Sequence, residues 1–252
     1  MIRQPNKGVR SMYVFYWQRH GFKGWGFLAI LGLLFLLGFT CWRWFDRAAV
    51  PAMKTQPIYQ GDPERKAIAL TFTIDWGEEY LPAILTALEQ VGARATFFPT
   101  GQWAERHPEL VRQMAAAGHE IGNHGQSHPH PDNLSREENR QDILQGEATL
   151  KAITGKKPVL YSPPYGESKP QVVAAASDLG YKFIMWTINT GDYLPNTQPE
   201  DILATILPKC QNGAIVLLHP TEPAAKALPE LLKQLKERGY ALVTTSEILP
   251  NG

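Results

Sequence analysis

Lys66-Ala67-Ile68-Ala69-Leu70-Thr71-Phe72-Thr73-Ile74-Asp75 is the stretch from which the rest of the chain is read. From Ala67 to Ile74 every residue is apolar, β-branched or aromatic, and the run stops on an acid. Unbroken hydrophobicity over that length fits a strand buried on both faces, as in a parallel sheet. Six further runs follow, at 94–98, 119–122, 158–162, 181–186, 214–219 and 240–244. Each is short and punctuated by Gly or Pro.

Helical patterns fill the intervals. Ile84, Leu85, Leu88 and Val91 recur at helix spacing, as do Leu228, Leu231, Leu232 and Leu235 before the stop at Gly239. Ser135 with Glu138 forms a capping box ahead of a helix over 136–153, and Gly155 closes it. Strand–helix units in series predict an α/β domain with parallel pairing and right-handed crossovers. The pattern leaves an open doubly wound sheet and an incomplete barrel equally open. In either, ligand chemistry belongs at the C-terminal strand ends.

The chain ahead of this domain is different. Residues 24–42 carry no charge and read GWGFLAILGLLFLLGFTCW. At about 1.5 Å per residue such a helix just crosses a hydrocarbon core of roughly 30 Å. Trp25, Trp42 and Trp44 mark its ends, and Arg3, Lys7, Arg10, Arg19 and Lys23 precede it. The heavier basic flank stays cytoplasmic, so one transmembrane helix holds the following domain outside the membrane. A cleaved signal peptide fits less well, because its apolar core is shorter. The organisation read is a cytoplasmic basic segment 1–23, a membrane helix 24–42, a Pro- and Gly-punctuated linker 43–65 and one domain 66–252.

Composition narrows the class. Net charge is +1 over 252 residues, which lacks the basic excess that nucleic-acid binding needs. Two cysteines, Cys41 and Cys210, cannot build a disulfide scaffold or a cysteine-rich zinc site. Cys41 reads as one more apolar residue of the membrane helix and Cys210 as a small buried hydrophobe.

Polar residues gather at the strand ends. The first strand runs into Asp75, Glu78 and Glu79, the third into Asn123, His124 and His128, and the fourth into Ser162-Pro163-Pro164-Tyr165-Gly166. The fifth runs into Asn189 and Asp192, and the sixth ends on His219. Spaced four apart, His124 and His128 face one way if they share a helical turn. Two imidazoles with the carboxylate of Asp75 suit a divalent ion, zinc first, and an open position would activate water. His119 reads as structural, His130 as solvated, and Glu78 and Glu79 as acids at a helix start. Trp76 and Tyr193 stand where an aromatic ring either stacks on a sugar or packs on a neighbouring loop.

These motifs resemble the polysaccharide deacetylase family, the NodB-type glycan N-deacetylases of carbohydrate esterase family 4. The resemblance runs over roughly 66–247. It rests on Ala69-Leu70-Thr71-Phe72, Ala95-Thr96-Phe97-Phe98, Gly118-His119-Glu120-Ile121-Gly122-Asn123-His124 with His128, Pro163-Pro164-Tyr165-Gly166 and Leu217-Leu218-His219. It implies an incomplete (β/α) barrel of about seven parallel strands. It also implies a hydrolase that removes N-acetyl groups from a cell-envelope glycan such as peptidoglycan. His124 and His128 match the metal-binding histidines and His219 the general acid. The backbone N–H of Tyr165 matches the oxyanion donor. Asp192, rather than Asn189, is the acid expected beside His219, since a carboxylate favours the protonated imidazole.

One departure bears on activity. The family carries two adjacent aspartates after Thr-Phe, the first a general base and the second a metal ligand. Thr73 and Ile74 stand there, Asp75 comes one step later, and the family's arginine before Pro-Pro is Ser162. Three readings stand. Asp75 binds metal, with weak base help from Glu78 or Glu79; or Asp75 is the base; or the domain is a catalytically impaired glycan-binding barrel.

Overall fold

The computed structural model describes residues 32–35 and 56–250. The chain divides into two units, residues 1–51 and 52–252. In the first, residues 32–35 form one helical turn with Leu33, Leu34 and Phe35 exposed. The rest of the membrane helix expected over 24–42, and the segments 1–23 and 43–55, lie outside the described residues. Among the described residues no helix is long and apolar enough to cross a membrane.

The second unit is built on β1 (Ala67–Ile74), whose residues are all buried. One edge of β1 pairs with β7 (Ala214–Leu218), from Ile68↔Ala214 to Phe72↔Leu218. Its other edge is shared. Ala67–Ala69 pair with β8 (Ala241–Val243), and Thr71–Ile74 pair with β2 (Thr96–Pro99). Pairing extends from β2 to β3 (Glu120–Ile121) and from β7 to β6 (Ile188–Asn189). β4 (Leu160–Tyr161) and β5 (Lys182–Phe183) form a separate pair. Every one of these pairings is parallel, as expected for strands joined by helical crossovers.

Isolated bridges join the two sheets. Asn123 bridges Tyr161 beyond β3. On the far side Ile58 bridges Ile184, and Gln60 bridges Ala214. Residues 56–65, expected to be the end of a free linker, are therefore bonded into the domain. The Gly61 N–H donates to Gly213 and the Asp62 N–H to Ile248, each at 2.8 Å. The physical reason is that the gap between β5 and β7 exposes backbone groups, and this segment satisfies them.

Strand alternation sorts the core. Ile68, Leu70, Phe72 and Ile74 pack against the helices. Ala67 and Ala69 face the other way, with Phe98, Ile184, Ile215 and Ile248. Thr71 and Thr73 share that second side. The helices are α1 (Leu81–Gln90), α2 (Gly101–Arg106), α3 (Pro108–Ala116), α4 (Arg136–Thr154), α5 (Pro170–Asp178), α6 (Pro199–Ile206), α7 (Glu222–Glu237) and α8 (Thr245–Ile248). The Ser135–Glu138 capping box opens α4, and Gly155 ends it at φ 73°. All seven expected runs contain strand, the first over its full length and the others over part of theirs, and the fifth continues past Trp186 into the extra strand β6.

Candidate active site

A cleft of about 270 Å³ opens where β1 and β7 end, lined by Thr73, His124, His128, Tyr165, Asn189 and His219 among others. The loop after β3 carries the two histidines. His124 is buried, and its Nδ1–H donates to the Ser162 carbonyl at 2.6 Å. Burial, then the neighbouring His128, pushes its pKa down to about 3, so the ring is neutral with Nε2 free. His128 lies with its ring centroid 5.0 Å away. The helical turn expected for this pair is absent. The rings meet because His128 adopts φ 53°, a left-handed backbone that a residue with a side chain rarely takes.

Asp75 accepts a 2.8 Å hydrogen bond from Thr100 Oγ1. Burial lowers the pKa of His128, and the Asp75 charge opposes that shift, so Asp75 lies within electrostatic reach of this ring. Among the described residues no three His, Cys, Asp or Glu side chains converge into a complete metal cage. The donor chemistry nevertheless fits a divalent ion. One imidazole is kept neutral by burial and is oriented by a backbone carbonyl, as a ligating histidine usually is. The second faces it, and a carboxylate is near.

Across the cleft His219 and Asp192 form a pair. His219 Nδ1 lies 2.9 Å from Asp192 Oδ1, and the His219 N–H donates to Oδ2 at 2.7 Å. Asp192 is 2% exposed, and the Thr190 hydroxyl sits 2.9 Å from its Oδ1. Both carboxylate oxygens are thus engaged, fixing the imidazole with Nε2 away from the acid. Asn189 instead lies 3.5 Å from the Tyr193 hydroxyl. Trp76 is parallel to the His219 ring at 6.4 Å, and Tyr193 meets it edge-on at 4.9 Å. Tyr165 is exposed at φ 57° and stacks on His130 at 3.9 Å.

Among the described residues no Asp or Glu lines this cleft. Glu78 accepts from Trp103 Nε1 at 3.3 Å instead, and Glu79 is exposed. Thr73 faces the cleft, whereas Ile74 is fully buried among the helices. Thr100 and Trp186 belong to the site without having been expected there. Thr100 bears the one readable signal, a threonine at the N-cap of α2 right after a strand.

A family model described as polysaccharide deacetylase matches residues 60–184. A Bacillus cereus peptidoglycan-N-acetylglucosamine deacetylase is 36% identical over 190 residues, covering 73% of this chain and 88% of that protein. The chain belongs to the polysaccharide deacetylase family. Within it, the Bacillus subtilis protein YlxY is 33% identical over 198 residues, covering 79% of this chain but 62% of YlxY. The chain therefore spans less than two thirds of that relative. Among solved structures, a CE4 family pseudoenzyme from Bacillus anthracis superposes with a TM-score of 0.75 at 36% identity, covering 78% of this chain and 69% of that one. A mutant of that pseudoenzyme, solved as a form with restored enzymatic activity, gives the same TM-score.

Proposed function

We propose that this deacetylase-family chain is a membrane-anchored, metal-dependent hydrolase of an N-acetylated cell-envelope glycan such as peptidoglycan. Residues 24–42 hold an incomplete (β/α) barrel on the outer side of the cell membrane. The observation that carries the reading is the His219 imidazole, held by buried Asp192, facing the same cleft as His124, His128 and Tyr165. His124, His128 and Asp75 would hold the divalent ion, zinc by donor type, which supplies positive charge against which the acetyl carbonyl polarises. The Tyr165 N–H donates to the carbonyl oxygen as negative charge develops on it. Asp192 keeps the His219 Nδ1 proton in place, so Nε2 delivers a proton to the departing amine as the C–N bond breaks. Water adds to the acyl carbon and gives its proton to the solvent, and acetate and a free amine leave.

A second reading, glycan binding without turnover, is favoured by Thr73. A threonine cannot take a proton from water at neutral pH, and among the described residues no carboxylate lines the cleft. Acetate release from N-acetylglucosamine oligomers by the zinc-loaded full chain separates the two. Slow release that Thr73→Asp accelerates supports the hydrolase. Release only from Thr73→Asp supports the binding module. No release from either, with zinc bound, overturns the deacetylase reading.

A further inference from the structure

We propose that Asp142, on α4 and outside the cleft lining, is a positioning residue that sets the ligand geometry of His128; this rests on the metal-dependent reading above. Three donors of the histidine loop converge on its carboxylate. The Gln126 N–H lies 3.0 Å from Oδ2, and the Ser127 N–H and hydroxyl lie 3.1 and 2.8 Å from Oδ1. Those donors immediately precede His128 in the chain. The same loop is held from its other side, where Gly101 N–H and Gln102 N–H donate to the carbonyls of Gly125 and Gln126 at 2.9 Å. Asn123 Oδ1 accepts from the Gly125 N–H at 2.9 Å.

Gly125 shows that the fit is built around the carboxylate. Its φ is +80°, and a Cβ added there would lie 2.2 Å from Asp142 Oδ2. Gly146, one turn further along α4, lets the helix approach, since a Cβ there would lie 2.6 Å from the Gly125 carbonyl. His128 is the first residue after the clamped donors, and its φ of 53° turns its ring onto His124. A left-handed residue with a side chain persists only where its surroundings over-determine it. Two carboxylate oxygens accept all three donors; an amide in their place offers one oxygen and sets an NH₂ against an N–H. Asp142 thus does for the loop what an outer carboxylate does for a ligating histidine, without touching the ring.

The test uses the full chain in detergent, as wild type, Asp142→Asn and Ser127→Ala. Zinc affinity is read by competition with a chromophoric chelator. The histidine ring signals of the zinc-free chain are read by nitrogen-15 NMR. Asp142→Asn should weaken zinc by about 10–100-fold and shift the His128 signals while leaving those of His119 in place. Ser127→Ala, which removes one of the three donors, should do the same to a smaller degree and serves if Asp142→Asn does not fold. Wild-type affinity in both variants with unmoved His128 signals overturns the proposal. A wild-type chain that binds no zinc overturns the metal reading instead, and the His128 signals of the zinc-free chain still decide the role of Asp142.

Discussion

His219 and His124 are both histidines of one cleft, and their surroundings separate their work. His219 has its Nδ1 against a buried carboxylate, while His124 has its Nδ1 against a backbone carbonyl and is held neutral by burial. His219→Ala should therefore lower acetate release by about 10²–10⁴-fold with zinc affinity unchanged. His124→Ala should lose zinc. Zinc titration beside turnover checks both, and full activity of His219→Ala would end its role as the acid. These residues were legible because each stands in a local motif at a strand end. Asp142 was not, because helix residue 142 meets loop residues 126 and 127 only in three dimensions. The order Thr73-Ile74-Asp75 was legible as a departure, but its meaning was not. Strand alternation sends Thr73 into the cleft and Ile74 into the outer core, so the two substituted positions are not equivalent.

At the level of elements, chain-local chemistry predicted best. The α4 start was readable because the Ser135 hydroxyl accepts from the Glu138 N–H and the Glu138 carboxylate accepts from the Ser135 N–H, all within four residues. Ser135→Ala should cost about 1 kcal/mol, measured as a shift in urea midpoint at constant slope. A null effect would mean that packing on α5 alone fixes the start of the helix. Elements that depend on distant partners were harder to read. The strand β6 follows the Trp186 region and exists because Ile188 and Asn189 pair with Val216 and Leu217 of β7. The His124–His128 spacing invited a helical turn, and tertiary clamping of the loop overrode it.

For the whole domain, buried and bonded titratable groups set a common acid sensitivity. His119 is buried, its Nδ1 accepts from the Ala95 N–H at 3.2 Å, and burial followed by the Arg94 charge pulls its pKa below the ordinary 6.5. The unfolded chain then binds that proton more readily, so stability is unaffected above pH 6.5 and falls as pH drops below it. Glu247 and Asp178 act further down. Burial raises the Glu247 carboxyl, but hydrogen bonds from Thr244 together with Arg94 outweigh it, and Arg136 holds Asp178, so both carboxyls lie below their ordinary 4.5 and 3.8. Their stabilisation is present above those values and is lost as pH falls through the depressed ones. The urea midpoint of the zinc-free chain should decline from pH 7 to 5 and more steeply below 4.5. A midpoint flat from 7 to 5 would contradict the neutral His119. The parallel α/β class was legible from seven apolar runs, whereas closure by residues 56–65 was not, since that segment carries no strand pattern.

That closing segment has a mechanical consequence. The chain enters the domain through Ile58, whose N–H and carbonyl are held by Phe183 and Met185, and then through Gly61 on Gly213. Tension applied ahead of Gln56 reaches these few bonds before it reaches any strand of the main sheet. Under load this seam takes the pull first, and Trp186 of the cleft lies between two residues that hold it, Met185 bonded to Ile58 and Thr187 to Tyr59.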